Sequence, residues 1–154
     1  MSFDLKSLES AVAQHGRVVR LVVADVRGSA PREVGAAMLV WADGQSGTIG
    51  GGALELQASE RARAALSRGD WLERFALGPT LGQCCGGAVT LLAEVYDQAR
   101  LAGLGDIVVC RKVSGQSEMP MKFRKQLSEA RNSGAVVQSR LVAGWMIEAI
   151  TKPS

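Results

Sequence analysis

Two adjacent cysteines, Cys84 and Cys85, lie in the glycine-rich segment GQCCGG at residues 82–87 and carry the most evident chemistry of the chain. A disulfide between neighbours is strained, because one peptide bond does not allow the usual separation of the two Cα atoms. The flanking glycines give up backbone entropy and allow close approach to another group. A thiolate in this setting suits soft-metal ligation or sulfur transfer. Two small buried side chains in a tight turn are the structural alternative.

Other thiol and imidazole groups are few. The chain has three cysteines and one histidine, His15, so it lacks the two cysteine pairs of a zinc signature. Cys110 stands in an apolar, strand-like run and is expected to be buried and inert. Three cysteines are too few for a disulfide framework, which indicates a reducing cytoplasm.

A second candidate site follows a predicted strand, where Gly50, Gly51 and Gly52 lead into a helix. Free N–H groups at a helix N-terminus bind anions such as phosphate. The segment has neither the Lys-Ser/Thr pair of a P-loop nor the G-x-G-x-x-G spacing of a dinucleotide site. A helix-start turn with unusual dihedrals is the alternative. Glu55, in the first helical turn, is interpreted as an acid favoured by the helix dipole, with a general-base role as the other option.

A third candidate is the loop that follows the first predicted strand. It places two guanidinium groups, Arg27 and Arg32, on either side of the hydroxyl of Ser29. Arginine forks suit phosphate and other oxyanions. The alternative is a solvated loop, and the spacing alone favours that alternative.

The elements that position these residues are predicted from hydrophobic periodicity. Helical spacing predicts helices at residues 4–15, ended by Gly16, and 53–68, ended by Gly69. Apolar and β-branched runs predict strands at 18–26, 36–41, 46–49, 71–77 and 88–96, with a hairpin turn at residues 43–44. Because helices and strands do not alternate strictly, we expect an α+β fold, a mixed sheet with flanking helices, rather than a parallel doubly wound one.

The pattern of predicted elements changes near residue 105. A strand is predicted at 106–113 and two helices at 121–131 and 135–150. The second helix carries Leu141 and Trp145 and has an apolar face to bury, either against the core or in a homodimer. We therefore expect a motif-bearing domain at residues 1–100 and a basic, mainly helical extension at 101–154.

Composition and charge exclude several classes. The chain is 47% hydrophobic and 21% charged, which is typical of a globular protein rather than a disordered one. No apolar stretch is long enough to cross a bilayer and no secretory signal is visible, so no membrane partner is expected. Residues 1–100 hold 10 basic and 11 acidic residues, and residues 101–154 hold 8 and 4. The basic excess is confined to the last third and contains no run of Lys or Arg, so no nucleic-acid partner is expected.

Three segments together resemble the amino-terminal domain of the XdhC/CoxI family over about residues 5–100. They are GSAPREVGAAMLV at 28–40, DGQSGTIGGGALE at 43–55 and LGPTLGQCCGGAVTLLAEV at 77–95. Members of this family are accessory proteins for the maturation of xanthine dehydrogenase, carbon monoxide dehydrogenase and related molybdenum hydroxylases. The resemblance implies a chaperone without turnover of its own. Such a chaperone binds the molybdenum cofactor, supports its sulfuration by a cysteine desulfurase, and helps to place it in the apo-enzyme.

The resemblance also implies where the cofactor binds. The expected cofactor-binding residues are Ser29, Arg32, Gly50, Gly51, Gly52, Glu55, Gln83, Cys84, Cys85, Gly86 and Gly87. The metal-side contact is expected from Cys84 or Cys85, without a choice between them, and no catalytic residue is expected.

The chain departs from the family pattern after residue 100. Many members continue into a Rossmann-like second domain, but residues 101–154 carry no glycine-rich dinucleotide motif. We therefore expect a single domain that acts with a separately encoded Rossmann-like partner. Two alternatives remain open. One is a sulfur carrier or thiol-dependent enzyme that uses Cys84 and Cys85 without a pterin. The other is an interaction module that docks a protein or nucleic acid through basic residues in 121–140.

Overall fold

The computed structural model describes residues 2–78, 87–105 and 107–150 of the 154-residue chain. The helices are α1 (Leu5–His15), α2 (Gly52–Arg68), α3 (Gln98–Ala102) and α4 (Met121–Ser133). The strands are β1 (Val18–Arg27), β2 (Ala37–Trp41), β3 (Gly44–Gly47), β4 (Trp71–Ala76), β5 (Ala88–Tyr96), β6 (Val108–Lys112), β7 (Arg140–Val142) and β8 (Trp145–Ala149). None of the helices in these described ranges has the length and apolar character needed to cross a membrane.

The larger sheet has five strands in the order β3-β2-β1-β5-β4, and every pairing in it is antiparallel. The predicted α+β class is confirmed. The sequence predicted a mixed sheet, whereas these five strands pair only in antiparallel fashion. The reason is topological. Helix α2 returns the chain across the sheet so that β4 runs parallel to β1, but β5 lies between these two strands. Parallel strands are therefore never neighbours in this sheet.

Helix α2 covers one face of this sheet. Its apolar residues recur at helical spacing, and Leu54, Ala58, Ala62 and Ala65 are buried. They pack against alternate residues of β1, whose side chains at Val19, Leu21 and Val23 belong to the same core. The small alanine side chains allow the helix to lie close to the sheet. Gly69 ends the helix as the sequence predicts, and its N–H donates to the carbonyl of Ala65.

The opposite face is covered by α1 and by a second, three-stranded antiparallel sheet in the order β6-β8-β7. Residues of β8 alternate between two layers. Met146 packs against Val22 and Leu92 of the five-stranded sheet, whereas Ile147 packs against Phe123 of α4. Residues 107–150 therefore share cores with the first hundred residues. The division of the chain into two functional units at residue 100 stays a prediction.

The helix predicted at residues 135–150 is wrong, because this segment forms the β7–β8 hairpin. The two-residue turn between the strands has positive φ at both positions, 52° at Ala143 and 81° at Gly144, which matches a hairpin turn of type I′. A Cβ at Gly144 would lie 2.1 Å from the carbonyl oxygen of Ser114, so only glycine fits there. The extension is thus only partly helical, while the predictions of a strand at 106–113 and a helix at 121–131 are confirmed by β6 and α4.

Four charged side chains cross-link the two sheets. Arg20 of β1 forms two hydrogen bonds with Glu148 of β8, and Arg111 of β6 bonds both Glu148 and Glu94 of β5. All but Arg111 are at most 2% exposed. Because each buried charge has an opposite partner, the cost of removing it from water is offset. The C-terminal strands are therefore held to the centre of the larger sheet by specific polar contacts as well as by apolar packing.

Candidate functional site

The three segments that carry the family resemblance approach one another at one end of the five-stranded sheet. Strands β1, β3 and β4 end there, and β5 begins there. The loop at residues 28–35 follows β1, the glycines at 50–52 connect β3 to α2, and Gly87 immediately precedes β5. The antiparallel pairing brings these segments to the same edge although they are far apart in sequence.

The first contact joins the loop after β1 to the glycine turn before α2. A Cβ at Gly50 would lie 2.6 Å from the Cβ of Pro31, and φ at Gly50 is +124°. A guanidinium N–H of Arg32 donates to the carbonyl oxygen of Thr48 at 3.2 Å. Both the close approach and the dihedral require glycine at position 50. The motif residues Gly50 and Arg32 are thus adjacent in space.

The second contact joins the same loop to the end of the cysteine segment. A Cβ at Gly87 would lie 2.1 Å from the carbonyl oxygen of Ser29 and 2.5 Å from that of Arg27. The N–H of Leu77 donates to the carbonyl of Gly87 at 2.7 Å, which fixes the two ends of the connection between β4 and β5. The glycine at 87 is therefore required by backbone contact. Gln83, Cys84, Cys85 and Gly86 lie outside the described residues, and their predicted roles stay predictions.

Glu55 is directed back to the turn that precedes its own helix. One carboxylate oxygen accepts hydrogen bonds from the Thr48 hydroxyl at 2.5 Å, the Ile49 N–H at 3.0 Å and the Gly51 N–H at 3.1 Å. Partial burial raises the pKa of this carboxyl, but the three hydrogen bonds prevail and hold the pKa below its usual value. Glu55 is therefore ionised at neutral pH and stabilises the helix N-terminus, as the first-turn interpretation predicts.

This arrangement also changes the interpretation of the glycine turn. The N–H groups of Ile49 and Gly51 are occupied by Glu55, and the N–H of Gly50 donates to the Thr48 hydroxyl at 3.0 Å. An external phosphate would have to compete with this carboxylate at Gly51. The binding of an anion by Gly50, Gly51 and Gly52 stays a prediction, while the role of these glycines as a tight helix-start turn follows directly from their dihedrals.

The polar side chains of the loop after β1 are accessible. Ser29 is exposed, and the Arg27 side chain is 76% exposed, with one N–H group donating to Asp25 at 3.1 Å. Arg32 is partly exposed and also lies 3.5 Å from the carboxylate of Glu33. These groups are available to an anionic ligand at this end of the sheet.

Cys110 has a different setting from the one expected. It lies on β6, is half-buried rather than fully buried, and forms no disulfide. Burial raises the pKa of its thiol, although the nearby Arg111 acts in the opposite direction. The thiol is therefore protonated at neutral pH and a poor metal ligand. Within residues 2–78, 87–105 and 107–150, no group of three or more His, Cys, Asp or Glu side chains is arranged to hold a metal ion.

The buried charges Arg20, Glu94 and Glu148 were not expected as partners from the sequence. Each of them interrupts an apolar strand run, and a charge in such a position requires an opposite charge nearby. This pattern predicts that each charged residue has a partner of opposite charge, but it does not identify the partner. The sequence pattern also placed Arg140 in a helix, whereas it lies on β7 beside a cleft formed with the end of β1.

Comparisons with known proteins agree with these observations. Residues 11–76 match the model of the XdhC and CoxI family, so the resemblance noted in the sequence is confirmed. The fold matches that of a Bacillus halodurans protein whose crystal structure is described as that of a xanthine dehydrogenase, with a TM-score of 0.70 and 18% identity. The match covers 96% of this chain but 52% of that one, so the chain spans about half the length of the Bacillus protein. No curated protein sequence matches the chain.

Proposed function

From the match of residues 11–76 to the XdhC and CoxI family, we propose that the chain is an accessory protein in the maturation of a xanthine dehydrogenase-type molybdenum hydroxylase. In this proposal it binds the molybdenum cofactor in the cytoplasm and protects it during sulfuration by a cysteine desulfurase. It then assists insertion of the cofactor into the apo-enzyme. The chain carries no turnover of its own.

One observation carries the proposal, namely the contact of the loop after β1 with both glycine segments. Gly50 packs against Pro31 and Gly87 packs against the backbone of Ser29, so the three motif segments form one surface. Without these contacts the motifs would be unrelated loops.

The residue types at this surface fit the cofactor. The molybdenum cofactor is a pterin that carries a phosphate and a dithiolene-bound molybdenum, and when bound it supplies the soft metal and the anionic group that need protein partners. Arg27, Ser29 and Arg32 provide donors for oxyanions. Cys85 precedes Gly87 by two residues in the chain, and a thiolate there would suit a soft metal. Glu55 keeps the glycine turn in place, and its predicted contact with the cofactor stays a prediction.

The partners in this proposal are the apo form of a molybdenum hydroxylase and a cysteine desulfurase. We also propose a Rossmann-like domain as a partner, because a domain of that kind accompanies the motif region in many family members. A homodimer remains a proposal. The β7–β8 hairpin buries Met146 and packs Leu141 on the core, so the apolar face that a homodimer was expected to bury is already covered in part.

The experiment is expression of the full chain in a host that makes molybdenum cofactor, followed by measurement of bound molybdenum and of oxidised-pterin fluorescence. We expect stoichiometric metal and pterin in the wild-type protein and loss of both in Cys84→Ala or Cys85→Ala. Cys110→Ala is the matched control, because this thiol is half-buried on β6, away from the motif surface.

Two outcomes would contradict the proposal. A folded wild-type protein that carries neither metal nor pterin would show that the chain does not hold the cofactor. A persulfide on Cys84 or Cys85 without molybdenum would instead favour a sulfur carrier.

A further inference from the structure

Helix α4 presents a strongly basic side to solvent. Its basic residues are all exposed, and none forms a hydrogen bond or ion pair with any described residue: Lys122, Arg124, Lys125 and Arg131. Glu129 is the one acidic residue of this helix. Half of the eight basic residues of segment 101–154 therefore lie on α4, which concentrates the basic excess of the segment on one surface.

The packing of α4 does not require these charges. The helix is held by its opposite side, where Phe123 and Ala130 are buried in a cluster with Ile147 of β8. Lys122 and Arg124 lie in the first helical turn, which contains no acidic residue and has no side-chain cap. The positive end of the helix dipole opposes cations at this position. The two residues therefore reduce helix stability, and such local conflicts are typical of functional surfaces.

Arg140 extends the basic surface onto the small sheet. It is paired with Ile147, and residues directly opposite in antiparallel strands have side chains on the same face. Since Ile147 packs with Phe123, the Arg140 side chain lies on the α4 side, although the residue borders the cleft between β7 and the end of β1. Arg140 is exposed and has no partner among the described residues.

An exposed apolar side chain accompanies these cations. Met121, the first residue of α4, is 78% exposed. Arginine and methionine are enriched in protein–protein interfaces, and clusters of basic residues recognise acidic motifs. A surface with cations around an exposed methionine therefore complements a protein surface that carries carboxylates around an apolar side chain.

Other occupants fit this surface less well. A basic amphipathic helix binds a membrane through its apolar side, but the apolar side of α4 is already buried against β8. Bases of single-stranded nucleic acids stack on aromatic rings, whereas Phe123, the one aromatic residue of α4, is fully buried. Exposed carboxylates such as Glu9 of α1, Asp43 of the β2–β3 turn and Glu60 of α2 lie on separate elements, which disfavours a second copy of the chain.

We propose that the exposed side of α4, together with Arg140, docks an acidic surface of a partner protein. The cations provide the attraction and Met121 provides an apolar contact. This proposal goes beyond the proposed function and does not depend on cofactor binding, because α4 packs on the small sheet whereas the motif segments meet at one end of the larger sheet.

Fluorescence anisotropy of the purified full chain with labelled peptides tests the proposal. One probe is an acidic peptide of glutamate and leucine residues, and the other has glutamine in place of every glutamate. We expect the acidic peptide to bind more tightly. A triple variant of α4, with Lys122→Gln, Arg124→Gln and Lys125→Gln, should weaken this binding about tenfold or more, because three charge contacts are lost. Met121→Ala should weaken it about threefold, because apolar contact area is lost.

A second triple variant is the matched control. Lys6→Gln, Arg68→Gln and Lys112→Gln remove the same total charge from exposed positions on other elements. Because salt screens distant charges, this control should change the dissociation constant less than about twofold at physiological ionic strength. The melting temperature of the α4 variant should equal or slightly exceed that of the wild type, because cations are removed from the positive end of the helix dipole.

The proposal is overturned if the two triple variants bind the acidic peptide equally, or if the glutamine peptide binds as tightly as the acidic one. A lower melting temperature of the α4 variant would also overturn it, because the charges would then serve the fold. Double-stranded DNA that binds about tenfold more tightly than the acidic peptide, through the same residues, would identify a nucleic-acid surface instead. Phosphatidylserine vesicles with that behaviour would identify a membrane surface.

Measurement of bound molybdenum and pterin separates this proposal from the proposed function. We expect the α4 triple variant to retain the cofactor as the wild type does, while it loses the acidic peptide. Loss of the cofactor from this variant would place α4 in the cofactor site and overturn the docking assignment. A wild-type chain that binds the acidic peptide through α4 but holds no cofactor would support docking, while the proposed cofactor handling would fail.

Discussion

The guanidinium of Arg20 forms two hydrogen bonds, of 2.8 and 2.7 Å, with the carboxylate of Glu148, which follows it by 128 residues. Arg20 is 2% exposed and Glu148 is fully buried. The pair joins β1, the central strand of the five-stranded sheet, to β8, the central strand of the smaller one. The C-terminal segment is thus part of the scaffold that holds the motif surface and the cleft.

Removal of this carboxylate is expected to destabilise the fold strongly. Glu148→Gln leaves the charges of Arg20 and Arg111 buried against a neutral amide, and breaking a buried pair in this way costs about 3–5 kcal/mol. Urea unfolding followed by circular dichroism measures the change. Glu60→Gln, at an exposed position of α2, is the control and should stay within about 0.5 kcal/mol of the wild type. Similar midpoints for the two variants would refute a stabilising role for Glu148.

The carboxylate of Glu148 should also make the stability of the fold depend on pH in the acid range. Burial raises the pKa of Glu148, but Arg20 and Arg111 prevail and hold the pKa below its ordinary value. Because the pKa is depressed in the folded state, ionised Glu148 makes its full contribution to the free energy of unfolding above the ordinary glutamate pKa of about 4.3. This contribution is lost as the pH falls through the folded-state pKa. The stability difference between wild type and Glu148→Gln, measured from about pH 3 to 7, should therefore shrink at the acid end. A pH-independent difference contradicts this assignment.

Gly87→Ala is expected to damage the motif surface. The new methyl group would lie 2.1 Å from the carbonyl oxygen of Ser29, and a backbone atom cannot move away as a flexible side chain can. We expect a loss of about 2–3 kcal/mol in the free energy of unfolding and weaker cofactor retention. Gly78→Ala is the control near the other end of the connection, because a methyl group there would have no atom of the described residues within 4 Å. Equal melting temperatures for the two variants would exclude the proposed clash.

Glu55→Ala tests the helix-start turn. The change removes the acceptor of three hydrogen bonds, from Thr48, Ile49 and Gly51. A cost of about 1–2 kcal/mol is expected, as for the loss of a helix cap. Thermal unfolding measures it, with Glu60→Ala on the same helix as the control. If cofactor retention falls while stability does not, Glu55 acts on the ligand directly and its structural role is refuted.

Local sequence patterns were enough to predict helices α1 and α2, strands β1 to β5 and the α+β class. Helix α2 and strand β5 follow from local patterns, because burial of one face requires apolar residues at a fixed period. The family resemblance also came from the sequence, because several motif residues are contiguous in each segment and need no tertiary information.

The fold of the C-terminal segment and the pairing of the buried charges depend instead on contacts between segments that are distant in sequence. Residues 140–149 have few local signals, and their hairpin depends on Gly144 fitting against Ser114 and on Met146 entering the core between the sheets. The partner of Arg20 could not be chosen from the sequence. Its neighbour across the strand pair is Glu94, yet it bonds Glu148 from the other sheet. Local patterns reflect contacts within a few residues, whereas pairing and cleft formation depend on the packing of distant segments.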